Sequence, residues 1–440
     1  MARLSYAEAL EYIHGINRYA KKLGFENLRR LLRELGNPQD RLRFIHVAGT
    51  NGKGSTAAML ASVMRAAGYR TGLYTSPYLQ RFTERIQVDG REIPEAEVAW
   101  LAGEVRDAIA SIVAEGYGHP TELEVVAAIA FLYYEQAGCD VVSFEVGLGG
   151  RFDPTNVIGT PLAAVIATID YDHVSKLGDT LEKIAFEKAG IIKPGGDVAL
   201  YPQPEGVERV FRQAAESAGA NLSICDFSSL RQEAYGLGGQ RFSYKSYKGL
   251  EISLIGDFQM KNAALAVEAA DMINRNPDSG VYVPEEALRR GLKEARWPGR
   301  MEILCDSPTV IIDAAHNAQG ARALGEALAK YCPGSDIIMI VGALRDKDYM
   351  GIVGPTVPLA SSVYTVTPLS HRALPAEELA ALLLGNGGAK LAGRVTACGA
   401  VEEAARLAVE EARTAQGKPV ICAFGSLYYI GVLREIFGAK

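Results

Sequence analysis

The segment His46-Val47-Ala48-Gly49-Thr50-Asn51-Gly52-Lys53-Gly54-Ser55-Thr56 constrains this chain more than any other, because small residues and one lysine stand between an apolar run and a helical run. Backbone N–H groups of such a loop, at a helix N-terminus, point at an anion, and the helix macrodipole favours negative charge there. Glycines let the backbone come close, and Lys53 brings a point charge for terminal phosphates. The common nucleotide pattern G-x-x-x-x-G-K-[ST] is matched only in part. It asks for glycine where Val47 stands and for a hydroxyl where Gly54 stands, and the hydroxyls follow one residue late at Ser55 and Thr56. Taken alone, the segment reads either as a phosphate cradle or as a glycine-rich turn with a solvated lysine.

Context favours the cradle. Residues 43–48 form a short buried-strand pattern, 56–67 read as a helix stopped at Gly68, and 70–75 supply a second strand. Strand, loop, helix and strand in this order make a parallel unit. Helical runs follow at 94–114 and 121–137, and apolar strands at 140–146 and 162–169 carry Glu145 and Asp170-Tyr171-Asp172-His173 near their carboxyl ends. Ligands of an open α/β sheet collect at that edge, so Gly49 to Ser55, Ser76, Glu145 and His173 are predicted to line one rim. Helices at 179–190, 204–218 and 259–272 flank a stretch, 242–254, that alternates like an antiparallel meander. After the break at 274–280 and the turn Trp297-Pro298-Gly299-Arg300, strand-like runs at 309–313, 336–341, 362–367 and 419–424 alternate with helical runs at 318–331, 375–384 and 400–415. Such alternation again implies a parallel sheet. The expected fold is α/β: a P-loop-type parallel-sheet ATPase domain with a small antiparallel element over 1–297, then a Rossmann-like α/β domain over 298–440.

Composition excludes several classes. Hydrophobic residues at 48% and charged residues at 22% are ordinary for a globular protein, and no apolar stretch reaches the length of a bilayer span. Met1-Ala2-Arg3-Leu4-Ser5-Tyr6 runs into acidic residues without an apolar signal core, so a cytoplasmic protein with no membrane partner is expected. A net charge of −6 argues against sequence-independent nucleic-acid binding. Cys139, Cys225, Cys305, Cys332, Cys398 and Cys422 are scattered without a C-x-x-C pair, which predicts buried thiols rather than disulfides or a zinc cluster.

An ordered set of motifs resembles the folylpolyglutamate synthase and dihydrofolate synthase family of the Mur ligase superfamily. It runs from Leu35-Gly36-Asn37-Pro38-Gln39 and the glycine loop through Thr75-Ser76-Pro77-Tyr78-Leu79, Glu145-Val146-Gly147-Leu148-Gly149-Gly150-Arg151-Phe152-Asp153, Asp172-His173 and Glu187-Lys188-Ala189-Gly190. It ends with Trp297-Pro298-Gly299-Arg300-Met301-Glu302, Asp313-Ala314-Ala315-His316-Asn317 and Gly425-Ser426-Leu427-Tyr428. Glycine after the lysine is itself what this superfamily looks like. The resemblance implies an ATP-dependent ligase that phosphorylates a carboxylate and lets the amino group of L-glutamate attack the acyl phosphate. It also implies two Mg²⁺ ions.

By the same resemblance, Gly49, Thr50, Asn51, Gly52, Lys53, Gly54 and Ser55 hold ATP, joined by Asn262 and, from the second domain, by Arg300, Asp313 and His316. Ser76 and Glu145 are implied for the first magnesium, with Ser55 as the other candidate hydroxyl, and His173 and a carbamylated Lys188 for the second. The catalytic set is thus Lys53, Glu145, His173 and Lys188. On the residues alone, Glu145 also reads as a solvated strand-end carboxylate, Ser76 as a turn residue, His173 as structural and Lys188 as a helix-end lysine. Thr121, Glu122, Glu124, Arg151 and Asp153 resemble contacts to a folate or dihydropteroate, and the second domain is implied to bind glutamate. Departures from the family pattern at Tyr78, Leu123, Phe258 and Ala314-Ala315 touch the pterin preference rather than a phosphate or metal ligand. A monomer is expected. Three other readings stay open at this point: dihydrofolate synthase activity alone, a Mur-type ligase on another carboxylate, and an ATP-binding regulator. A Mur-type ligase calls for an extra N-terminal domain, whereas here the glycine loop already begins at Gly49.

Overall fold

The computed structural model describes residues 4–16, 24–387 and 393–438. Residues 1–3, the start of the segment without an apolar signal core, lie outside the described residues. The first sheet is built from β1 (Phe44–Ala48), β2 (Thr71–Tyr74), β3 (Ile86–Val88), β4 (Arg91–Glu92), β5 (Val141–Glu145), β6 (Ala163–Ile166), β7 (Asp197–Leu200) and β8 (Asn221–Ile224). Its order is β4-β3-β2-β5-β1-β6-β7-β8, and β2, β5, β1, β6, β7 and β8 are parallel. β1 lies between β5 and β6 and is buried along its whole length, which is why Phe44-Ile45-His46-Val47-Ala48 does not alternate.

The helix Lys53–Ala66 packs on this sheet, with the Ser143 hydroxyl donating to the Ala57 carbonyl at 2.9 Å. Helices Glu95–Ala114 and Glu122–Gln136 help to close the core, where the Phe44, Phe131 and Phe144 rings meet at 5.2–5.8 Å between centroids. Truncating one such ring to alanine costs about 3–5 kcal/mol. The helix begins at Lys53, three residues before the predicted Thr56, so Lys53, Gly54 and Ser55 form its first turn rather than part of a loop.

The predicted meander is a three-stranded sheet of β9 (Arg231–Gly236), β10 (Gly239–Tyr244) and β11 (Tyr247–Ile252) in the order β11-β10-β9. It starts eleven residues earlier than the alternation at 242–254 implied. The third sheet contains β12 (Glu302–Asp306), β13 (Thr309–Ile312), β14 (Asp336–Val341), β15 (Ala360–Thr365), β16 (Val395–Ala397) and β17 (Pro419–Phe424). Its order is β12-β13-β17-β14-β15-β16, and only β12 runs antiparallel.

The chain divides into two compact units: residues 1–231, 243–251 and 261–295 in the first, and 232–242, 252–260 and 296–440 in the second. The core of the second gathers Ile311, Leu324, Leu328, Met339, Val341 and Phe424, all essentially inaccessible to solvent. All six cysteines are free; five are buried and Cys305 is partly exposed. Among the described residues no helix is long and apolar enough to cross a membrane.

Candidate active site

In the first unit, β1 delivers the chain into Gly49, whose φ of +148° and tight packing leave no room for a side chain: a Cβ there would stand 2.8 Å from that of Ala167. Gly52, at φ +84°, is equally constrained, since a Cβ would meet the Asn262 Oδ1 at 2.6 Å. Between them, the Thr50 N–H donates to the Thr168 carbonyl at 2.6 Å and the Thr50 hydroxyl donates to the Asp170 carbonyl at 3.0 Å. The loop is therefore fastened to the segment after β6. Gly52 then opens the helix Lys53–Ala66 with no side-chain cap on its leading amides. An uncapped helix N-terminus is an anion site in waiting. Lys53 Nζ donates to the Thr50 carbonyl at 3.1 Å, which folds the ammonium back over the loop.

Lys188 comes to the same place from the helix Leu181–Ala189. It is buried, and its Nζ donates to the Gly49 carbonyl at 2.7 Å. Burial, reinforced by the like charge of Lys53, pushes its pKa down to about 7 against a weaker pull from Asp172 and Asp153. This end of the helix is tightly held, because a Cβ on Gly150 would meet the Glu187 and Lys188 carbonyls at 2.9 and 3.0 Å. The Arg151 N–H donates to the Glu187 carbonyl at 2.8 Å, and the Arg151 guanidinium stacks on Phe186. His173 caps a one-turn helix, Val174–Leu177, in the left-handed region; its ring is about half exposed and lies 3.9 Å from the Asp172 carboxylate.

A second cluster forms at the ends of β2 and β5. The Ser76 N–H donates to Glu145 Oε2 at 3.2 Å, and the Ser76 Oγ accepts from Arg85 Nη1 at 3.0 Å. A Cβ on Gly147 would lie 3.3 Å from Asp153 Oδ2 and 3.7 Å from Ser76 Oγ, so a side chain there would crowd the Asp153 carboxylate. Asp153 is buried, and its carboxylate accepts from the Leu148 N–H, the Thr155 N–H and the Thr155 hydroxyl at 2.6–3.0 Å. Burial nevertheless outweighs those bonds and raises its pKa. Thr121 and Glu124 form a reciprocal capping box at the head of the helix Glu122–Gln136, with the Thr121 N–H and hydroxyl on Glu124 Oε2 at 2.7 and 2.9 Å. Glu122 meets His14 at 3.2 Å. Among the described residues no three His, Cys, Asp or Glu side chains converge as a metal cage. Magnesium does not require one, since it keeps waters and takes one or two carboxylates together with substrate phosphates, a description that Glu145 beside Ser76 fits.

Arg300, Asp313 and His316 belong to the second unit. Asp313 follows β13, and its carboxylate accepts from the Met301 and Ala315 N–H groups at 2.9 and 2.7 Å. Burial raises its pKa, with the charge of Arg300 the largest opposing influence. His316 Nδ1 contacts the Ala314 carbonyl at 2.9 Å. Of the predicted residues, the structure groups the glycine loop with Lys188 and Asn262, Ser76 with Glu145 and Asp153, and Asp313 with Arg300 and His316, while Thr121, Glu122 and Glu124 stand at the head of the helix Glu122–Gln136 and His173 beside Asp172. Arg85, four residues after Arg81 in Arg81-Phe82-Thr83-Glu84-Arg85, is not among the predicted residues; its 3% exposure is set by tertiary packing.

The Mur ligase middle domain matches residues 47–270 and the Mur ligase glutamate ligase domain matches residues 299–427. The chain is 39% identical over 381 residues to a dihydrofolate synthase/folylpolyglutamate synthase of Bacillus subtilis, covering 85% of this chain and 88% of that one. A Mycobacterium tuberculosis folylpolyglutamate synthase complexed with ADP superimposes with a TM-score of 0.89 at 31% identity, over 99% of this chain and 98% of that one. A folylpolyglutamate synthase complex with AMPPCP and folate gives 0.82 at 32% identity, over 98% and 99%.

Proposed function

The chain belongs to the folylpolyglutamate synthase and dihydrofolate synthase family of Mur ligases, and from that premise we propose that it joins L-glutamate to a folate-type carboxylate at the expense of ATP. The observation that carries this reading is the uncapped helix beginning at Lys53, entered through two glycines that tolerate no side chain. A carboxylate is a poor electrophile, so it must first be activated. The acceptor carboxylate oxygen attacks the γ-phosphorus of ATP and ADP leaves. The glutamate amine then adds to the carbonyl carbon of the acyl phosphate, loses a proton and expels inorganic phosphate, leaving the amide.

In the first step little covalent chemistry falls to the protein; it positions groups and neutralises charge. The amides after Gly52 and the Lys53 ammonium cradle the terminal phosphates beside Asn262, and Arg300, Asp313 and His316 are assigned to the nucleotide as well. Magnesium, when bound, supplies further positive charge to the transferring group; Ser76 and Glu145 would hold one ion, His173 and Lys188 the other. Lys188 can do so only as an anion. Its depressed pKa supports this role, because a neutral amine adds to carbon dioxide and, after losing a proton, gives a carbamate. Thr121, Glu122, Glu124, Arg151 and Asp153 are assigned to the pterin-bearing acceptor, and residues 298–440 to the incoming glutamate. A monomeric, cytoplasmic enzyme completes the reading.

Feeding the protein tetrahydrofolate or dihydropteroate, each with ATP and glutamate, and measuring phosphate release tests it. Glutamate-dependent release is expected with at least one acceptor, and the pattern separates a folylpolyglutamate synthase, a dihydrofolate synthase and a bifunctional enzyme. Nucleotide binding without any glutamate-dependent release would overturn the ligase reading.

A further inference from the structure

Arg85 is a buried cation that the reaction as written above does not use. It closes the one-turn 3-10 helix Phe82–Arg85 and is 3% exposed. Its guanidinium lies 5.0 Å from the Tyr78 ring centroid and 5.9 Å from that of Phe82, and Nη1 donates to Ser76 Oγ. The buried Nε has no acceptor. Among the described residues no carboxylate forms an ion pair with it. Neighbouring acids are already engaged: the Glu84 carboxylate accepts from the Leu79, Gln80 and Arg81 N–H groups at 2.7–3.0 Å, Glu92 accepts from Arg81 and from the Thr83 hydroxyl, Glu145 accepts from the Ser76 N–H, and Asp153 accepts from Leu148 and Thr155. These bonds pin the 79–84 turn, and the Thr75 N–H holds the Arg85 carbonyl at 3.0 Å, so the side chain is presented from a fixed backbone.

A charge taken out of water without a counter-ion is costly, and such a cost persists where a ligand supplies the missing partner. We propose that Arg85 binds the carboxylate of the acceptor and keeps hold of it as the acyl phosphate forms. Two features favour a carboxylate over a nucleotide phosphate as the occupant. Arg85 is bonded to Ser76 and flanked by the Tyr78 and Phe82 rings, a setting suited to the end of a flat organic acid, whereas the phosphate cradle is the separate Gly49–Lys53 loop. A guanidinium presents several N–H donors in a planar fork, which matches a carboxylate and spares a donor for Ser76. This assignment rests on the ligase reading given above.

The test uses the full-length protein with Arg85→Gln and Arg85→Lys, each checked for an unchanged thermal midpoint and unchanged AMPPCP affinity. Calorimetric titration with dihydropteroate or tetrahydrofolate is then repeated with the matching acceptor whose free carboxylates are converted to amides. The native protein is expected to prefer the acid. Arg85→Gln should lose acid affinity by on the order of 10- to 100-fold and bind acid and amide alike, with KM for the acceptor raised and KM for ATP unmoved. Arg85→Lys should recover part of the preference. A variant that folds, binds AMPPCP and still prefers the acid as the native protein does would overturn the assignment, as would a rise confined to KM for ATP. If the native protein itself binds neither acceptor, the ligase reading falls instead.

Discussion

Both units use the same device, a parallel strand that runs into a helix, and they finish it in opposite ways. In the second unit the helices after β13, β14 and β17 are closed by their own side chains: Asn317 accepts from the Gly320 N–H, Asp348 from the Gly351 N–H and Ser426 from the Tyr428 N–H. In the first unit the helix after β1 begins at Gly52, which has no side chain to offer. The leading amides thus receive a side-chain cap from the N-cap residue in one unit and none from it in the other. The buried charges differ in the same sense. Arg85 is a buried cation and Lys188 a buried amine of depressed pKa in the first unit, whereas Asp313 in the second is a carboxylate that accepts from the Met301 and Ala315 N–H groups. A glycine-opened helix end with the Lys188 amine on its loop suits an anion that comes and goes; a capped end is built for stability.

The largest effect is expected where the open end meets chemistry. Lys188→Ala should lower kcat by roughly a thousandfold, the scale of losing a key electrostatic group, and short carboxylic acids should restore part of it. Full turnover by this variant in a phosphate-release assay would remove Lys188 from the mechanism. Next comes the attempt to make the first unit resemble the second. Gly54→Asp places a carboxylate in the first turn of the helix, where the dipole welcomes it and a phosphate then does not. AMPPCP affinity should fall by on the order of a hundredfold in a calorimetric titration, by like-charge repulsion and competition for the amides.

A third difference is titratable. The Lys188 pKa is lowered on folding from 10.5 to about 7, so between those values the unfolded chain binds more protons than the folded one. Stability must then rise with pH across that window, the penalty being complete below about pH 7. In carbon-dioxide-free buffer the thermal midpoint of the native protein, relative to Lys188→Met, should climb from pH 7 towards 10; parallel curves would contradict the buried neutral amine. Smallest is Asn317→Ala, which opens a capped end. It should cost about 1 kcal/mol in denaturant unfolding and leave AMPPCP affinity unchanged.

Much of this comparison was legible in the chain because its determinants are local. Glycines around a lysine, an apolar run before it and a helical run after it occupy consecutive residues, so β1, the loop and the helix could be read together. The β3–β4 hairpin was equally local and was passed over: Asp89-Gly90 is a strong turn signal, and both residues have positive φ, 52° and 77°. β7 and β8 are short strands towards one edge of the sheet, four residues each, without the length that marks β14 or β17. Thr121-Glu122-Leu123-Glu124 carries the capping-box spelling, and the box forms, although the resemblance to a family drew attention to the acceptor instead. Arg85 and the depressed Lys188 pKa were out of reach, since each is made by side chains brought in from other elements.

The thiols carry a practical consequence. Burial pushes Cys139 and Cys225 up to about 12 and Cys398 to about 11, and raises Cys332 and Cys422 as well. Thiolate is the form that reacts with maleimides, so these five are shielded both by packing and by protonation. Cys305, on β12, is the one that solvent partly reaches. The native chain therefore comes with a ready attachment point for a single dye on its second unit, with no cysteine to engineer.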